Sequence, residues 1–411
     1  MRGGLQVTTA TAPDRLDAIL DVDSHEMAPL QFWGPIFGAA AGEIAEQVTE
    51  AMKMQMGNDF YAPDRTADDT DITDETVWTV KGTAAPGAFD FERRLRVMDR
   101  MGVAKQLVFG SFPIFASKMK MGNEFAIRNV FGCSGPIEEV MELGQAGLAE
   151  YNDWALRTTT RSSDRTRCVA YIVDNGTVDD LLEQAETFVT NGIRAINIPY
   201  GVPPAGLSPA HPAMDDFWAL LERHDVPLVT HVGNEDGLLA SSAWKKDVPA
   251  FALGKTQSIE LGLEPYSFAN LHAASAHFLS VLILGGVLER FPRLRVGMIE
   301  QGASWLGPAA QNLDMWARDV YYNRLRGHIS MLPSEYIDRQ VRVTPFNNFE
   351  PIASDFERYP QLAHAYCYSS DYPHVEGGVD SKRRLHAQLA PLGDDAVDKF
   401  FVTNAQLLFP D

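Results

Sequence analysis

Short apolar runs recur along this chain, separated by stretches whose apolar residues return every third or fourth position. The runs cover 18–22, 106–109, 168–173, 194–198, 227–232, 294–299, 341–344 and 365–369. Brief apolar runs of this kind, bounded by turn residues, suit strands buried on both faces. Segments such as Val178–Thr190, Met214–His224 and Ala274–Arg290 carry the period of an amphipathic helix. Eight strand candidates alternating with helices, with polar residues gathered just after the strands, predict an α/β fold, a (β/α)8 TIM barrel. A doubly wound open sheet would use the same elements, but no glycine-rich phosphate loop follows the first run. Two intervals, 27–90 after the first strand and 111–165 after the second, exceed what a minimal barrel needs. Insertions after strands fall on the catalytic face of a barrel, so both are expected to cap it. Decoration or an oligomer contact is the plainer reading. With no repeat and no low-complexity linker, residues 1–411 read as one barrel domain.

A formal charge of −20 argues against nucleic acid and against an anionic membrane surface as partners. Three widely spaced cysteines, Cys133, Cys168 and Cys367, form no CxxC and read as reduced, buried thiols of a cytoplasmic protein. The N-terminal MRGGLQVTTATAPDRLD lacks a signal-peptide core, and the longest apolar run, near Phe278 to Val287, is too short to span a bilayer.

The first run breaks into Asp21-Val22-Asp23-Ser24-His25-Glu26. Strand alternation places Asp21, Asp23 and His25 on one face, and burying such groups beside Glu26 is costly without a cation. The run at 227–232 contains Thr230-His231, the run at 294–299 is followed by Glu300, and the last leads into Ser370-Asp371-Tyr372-Pro373-His374. Each of these residues falls at the C-terminal end of a strand. Singly, His231 reads as a structural hydrogen bonder and Glu300 as a helix cap or ion-pair partner. Jointly, Asp23, His25, Glu26, His231, Glu300 and Asp371 read as metal ligands. His374 is a ligand or a support for Asp371. His277, near the start of a long helix facing the mouth, is a further candidate, with His272 behind it. Asp21 is read as orienting His25, and Glu235 and Glu376 as supporting acids. Four carboxylates and two histidines match the inventory of di-iron sites in helical bundles, and four negative charges balance two divalent cations. A mononuclear zinc site needs only three protein ligands, whereas mixed oxygen and imidazole ligation suits iron or manganese. No flavin or nicotinamide fingerprint is present.

Through Asp21-Val22-Asp23-Ser24-His25, Thr230-His231, Phe291-Pro292-Arg293-Leu294 and Ser370-Asp371-Tyr372-Pro373-His374, the chain resembles the amidohydrolase-related family that includes aminocarboxymuconate-semialdehyde decarboxylase and γ-resorcylate decarboxylase. That resemblance implies a TIM barrel with metal at its strand ends. The family's first strand usually reads D-x-H-x-H and its sixth often ends in histidine; here Asp23 and Glu300 stand in those places. The run 194–198 offers no lysine to bridge two hydrolytic metals. This carboxylate-rich variant resembles the nonheme diiron monooxygenases of terpenoid antibiotic biosynthesis, the platensimycin and platencin type. The likeness implies two iron ions (Fe2+/Fe3+), O2, an external electron donor and hydroxylation of an unactivated carbon. The substrate so implied is a hydrophobic, diterpenoid-type small molecule carried on CoA. Arg157, Arg161, Arg165 and Arg167, or Lys118 and Lys120, are the cations available for CoA phosphates, although the arginines also read as a solvated helix end. Phe60, Tyr61, Phe109, Phe112, Phe115, Trp305 and Phe346 are expected either to wall a pocket or to belong to the core. The alternative that most relatives imply is a metal-dependent hydrolase or nonoxidative decarboxylase with Zn2+ or Mn2+. Such barrels often dimerise, so the resemblance admits a homodimer.

Overall fold

The computed structural model describes residues 16, 18–55, 60–122, 124, 126–233, 242–245, 247–251, 265–347 and 349–411. Ile19–Glu26 (β1) pairs in parallel with Val103–Gly110 (β2), which pairs with Thr166–Cys168 (β3). A second parallel series comprises Ala170–Tyr171 (β4), Ile196–Asn197 (β5), Leu228–His231 (β6), Val296–Ile299 (β7) and Val341–Val343 (β8). Only Val169 separates β3 from β4. Its N–H donates to Val108 O at 2.9 Å, whereas the Ala170 N–H turns to Ala195 O at 3.0 Å, so one stretch serves both series. The remaining seam is closed by residues 365–372. There the Cys367 N–H donates to Val343 O at 3.0 Å, Val22 N–H to Tyr368 O at 3.2 Å and His25 N–H to Tyr372 O at 2.6 Å. These bonds close a TIM barrel, and every apolar run of the sequence lies on its own stave.

The barrel interior is a sealed apolar cluster that includes Val22, Leu107, Val169, Val229, Ile299 and Cys367. Side chains of this size each contribute about 1.5–3 kcal/mol when withdrawn from water. The C-terminal residues Ala405, Leu408 and Phe409 join the same cluster. They are held by Arg167, which donates to Leu408 O at 3.2 Å and lies 5.3 Å from the Phe409 ring. Because Arg167 belongs to the start of β3, this plug fills the N-terminal mouth and leaves the opposite mouth for chemistry.

Helix Phe91–Met101 shows how local sequence sets the elements. Asp90 accepts the Glu92 and Arg93 N–H groups at its start, and Gly102, at φ +75°, ends it and turns the chain into β2. The first insertion is organised around buried Asp68, whose carboxylate accepts the N–H groups of Gly87, Phe89 and Asp90 at 2.9, 3.2 and 3.1 Å. The second contributes the helices Phe112–Lys120 and Ile137–Arg161. Gly144 lets these helices meet, since a Cβ there would stand 2.6 Å from Lys120 N. The insertions interlock through rings: Trp33 and Phe37 each lie 4.9 Å from Phe112. Phe60, Phe112 and Phe115 are wholly buried in this packing and so belong to the core. The apolar run near Phe278 lies within Pro265–Leu284, which among the described residues is long and apolar enough to cross a membrane. Here Phe278, Leu279, Leu282 and Ile283 are buried within the fold.

Candidate metal centre

β1 carries a bulge between Asp21 and Ser24, and this separates the roles of its acids. Asp21 accepts the Gln106 amide at 2.8 Å and the Ser370 N–H and hydroxyl at 2.8 and 2.6 Å. It therefore ties β1 to the closing stave instead of orienting His25, to which no hydrogen bond joins it. Burial, opposed by the hydrogen bonds from Ser370 and Gln106, pushes its carboxyl up to about 7.

Two residues on, the chain reaches the mouth. Asp23 Oδ1 lies 3.3 Å from His25 Nε2 and 3.4 Å from His231 Nε2. Glu300 Oε2 lies 3.0 Å from His231 Nε2 and 3.9 Å from His25 Nε2. Asp371 Oδ1 lies 3.4 Å from His25 Nε2 and 3.1 Å from His374 Nδ1. The result is two overlapping buried groups, Asp23–His25–His231–Glu300 and His25–Glu300–Asp371–His374. Within each, the ligand atoms lie within 4.8 Å of one another. Asp23 Oδ1, His25 Nε2, His231 Nε2 and Asp371 Oδ1 are buried with no hydrogen-bond partner among the described residues. Each such atom costs about 1–3 kcal/mol when left unsatisfied. A divalent cation held by Asp23, His25 and His231 satisfies three of these atoms, and Asp371 Oδ1 belongs to the adjoining group, so the donor set fits a metal.

Electrostatics agree with the geometry. Burial alone would raise the Asp23 carboxyl, but the His231 and His25 rings outweigh it and hold the group below the usual carboxylate range. Burial and the His374 ring depress His25, while Asp23 and Asp371 prevail and raise it. The His231 Nδ1 faces the Val232 carbonyl at 3.0 Å, which fixes the proton on Nδ1 and turns the Nε2 lone pair toward the carboxylates. The Tyr200 hydroxyl donates to His231 O at 3.1 Å and accepts from the Gln301 amide, steadying the end of β6.

Three further features escape sequence reasoning. Glu300 and Asp371 both adopt left-handed backbone, at φ +54° and +53°, a conformation costly for residues bearing a Cβ. Wholly buried Arg94 donates to His25 O and Gly87 O, each at 2.6 Å, and lies 4.8 Å from the Tyr372 ring, clamping the end of β1. Nothing in the sequence distinguishes Arg94 from its neighbour Arg93. Half-buried Lys81 is influenced by Asp371 and Glu376, and burial lowers its ammonium to about 8.

Several expected residues stand elsewhere. Glu26 lies outside both groups: its carboxylate accepts the Ala28 and Ser111 N–H groups at 2.8 and 3.2 Å, capping the turn after β1. His277 is exposed on helix His272–Leu284, and His272 stacks on Trp305 at 6.2 Å instead of facing the cluster. Among the cations offered for CoA, Arg165 and Arg167 pair with Asp99 and Asp164 at the N-terminal end of β3, the wrong end of the barrel. Arg157 and Arg161 line an outer groove of about 570 Å³ with Phe32, Phe91 and Trp154. Lys118 does reach the mouth, donating to Gly233 O at 3.0 Å. Phe109 packs on His231 at 4.3 Å between ring centroids and backs the cluster. Glu376 is buried but outside both groups. Glu235 lies outside the described residues.

Solved structures share this architecture along nearly the whole chain. An amidohydrolase from Mycobacterium avium subsp. paratuberculosis K-10 superposes with a TM-score of 0.62 at 17% identity, covering 95% of this chain and 98% of that one. A 2,6-dihydroxybenzoate decarboxylase from Rhizobium gives 0.57 at 16% identity, covering 95% and 98%. A 5-carboxyvanillate decarboxylase from Novosphingobium aromaticivorans, complexed with manganese and 4-hydroxy-3-methoxy-5-nitrobenzoic acid, gives 0.56 at 17% identity, covering 95% and 96%. No curated protein sequence matches the chain. The sequence pattern of the amidohydrolase family, by contrast, matches residues 137–410, a span that contains His231, Glu300 and Asp371. By that match the chain belongs to the amidohydrolase family.

Proposed function

We propose that this protein is a divalent-metal-dependent nonoxidative decarboxylase of a small carboxylated substrate. The observation that carries the reading is the convergence of Asp23 Oδ1, His25 Nε2 and His231 Nε2, buried without hydrogen-bond partners among the described residues, beside an overlapping group that contains Asp371. Asp23, His25, His231 and Glu300 would hold the ion, with Asp371 and His374 on its open side. Mixed oxygen and imidazole donors favour manganese, the metal in the solved 5-carboxyvanillate decarboxylase, over zinc. When bound, the ion supplies Lewis-acid stabilisation of an anionic substrate oxygen. Loss of CO2 breaks a carbon–carbon bond and leaves the electron pair on the substrate carbon, which must then gain a proton. Asp371, 3.1 Å from His374 Nδ1, is placed to deliver that proton, with the imidazole as its source. The insertions 27–90 and 111–165 cap the mouth in this reading and exclude water. Contacts that support the cap are Gly82 N–H to Pro373 O at 2.9 Å and Lys118 to Gly233 O.

The test is CO2 release from a panel of hydroxylated benzoates by manganese-reconstituted protein without oxygen. Turnover that is retained anaerobically and lost in Asp371→Asn is expected. Strict dependence on O2, with labelled oxygen entering the product, would reject decarboxylation. That outcome belongs to a second reading, a two-iron monooxygenase, which the overlap of two ligand groups through His25 and Glu300 favours. Two irons per chain after anaerobic loading would support it, and one metal per chain would remove it.

A further inference from the structure

We propose that the Lys81 ammonium is the specificity-determining contact that receives the anionic group of the substrate, so that the site takes a small organic mono-anion. The inference rests on the decarboxylase reading and names its substrate class. Lys81 lies within the first insertion, and the next residue, Gly82, donates its N–H to Pro373 O at 2.9 Å. That bond fixes Lys81 against the loop carrying Asp371 and His374. Its ammonium lies 6.0 Å from the Tyr372 ring centroid, on the residue between Asp371 and Pro373.

Other lysines of this chain show what a satisfied ammonium looks like. Lys53, Lys105 and Lys399 each contact a carboxylate at 2.5, 3.0 and 2.7 Å. Lys81 makes no such ion pair among the described residues, although it is half-buried and the Asp371 and Glu376 charges act on it. A cation withdrawn from water without a direct partner is costly, and its cost falls when an anion arrives. One ammonium without an ion pair matches one negative charge, so the ligand that answers it is a mono-anion.

Manganese-loaded wild type, Lys81→Met and Lys81→Arg are titrated with salicylate and with its neutral analogue salicylamide, following water-proton relaxation of the bound manganese. Salicylate affinity is expected to fall about tenfold in Lys81→Met and to recover in Lys81→Arg, as loss and return of one charge-assisted hydrogen bond require. Salicylamide affinity and manganese affinity should stay the same in all three proteins, which also reports that the variants are folded. Equal loss for both compounds, no loss for salicylate, or no salicylate binding by wild type would overturn the proposal. Altered manganese affinity in Lys81→Met would overturn it as well, tighter binding being the sign that Lys81 merely balances Asp371. Lys81-dependent salicylate binding without CO2 release from any hydroxybenzoate would overturn the decarboxylation reading and leave this one standing.

Discussion

Asp23 and Glu26 share one strand, yet their carboxylates reach different neighbours. Asp23 faces two imidazoles, and Glu26 is occupied by two backbone N–H groups. Substitution should separate them. Glu26→Gln is expected to keep its metal and lose about 1–2 kcal/mol of stability in urea unfolding, because the amide still accepts one of the two bonds. His231→Ala should lose metal by at least about a hundredfold in affinity, read by elemental analysis, with the far-ultraviolet dichroism of a folded barrel. Full metal in His231→Ala would show that the centre lies elsewhere. His277→Ala, altering an exposed helix position, should change neither metal content nor stability beyond about 0.5 kcal/mol.

Elements matter because the centre is shared among chain segments that only closure brings together. β1 and the closing stave meet through backbone bonds and through Asp21, which accepts three hydrogen bonds from Ser370 and Gln106. Asp21→Ala should therefore destabilise the fold by about 2–4 kcal/mol and weaken metal binding indirectly, since Asp371 loses its register beside Asp23. Comparing metal affinity with urea stability across Asp21→Ala and Asp21→Asn checks this, the asparagine retaining part of both. The left-handed backbone at Glu300 and Asp371 belongs to the same scale. Each residue sits where a stave ends and the chain must turn at once, so the carboxylate is presented at the mouth and not carried along the strand.

Over the whole molecule, metal and protons set the stability. Ligand linkage gives about 4 kcal/mol when free manganese exceeds its dissociation constant a thousandfold, so saturating metal should raise the melting temperature by about 5 °C. Chelation should reverse the shift, and Asp23→Asn should abolish it. Away from the centre, burial and then the nearby Glu350 raise the Asp355 carboxyl from 3.8 to about 6. Between those values the folded chain binds more protons than the unfolded one, so this group's contribution is complete below about pH 4 and is lost as pH rises through 6. Asp355→Asn should flatten the stability profile across that window in thermal unfolding at stepped pH.

Periodicity was enough to place all the staves, because a strand buried on both faces must be a short apolar run and its helix must keep a core-facing stripe. The ends of those runs likewise exposed Asp23, His25, His231, Glu300 and Asp371, since a barrel collects strand C-termini at one mouth. Which way each side chain turns there was settled only by three-dimensional contacts. A bulge in β1 sends Asp21 to the seam, two backbone N–H groups claim Glu26, and helix packing leaves His277 facing outward. Arg94, which clamps the end of β1, is likewise defined by partners distant in the chain. Local sequence thus specifies which segments arrive at a common point, while long-range hydrogen bonding and charge decide which of their groups remain free to act there.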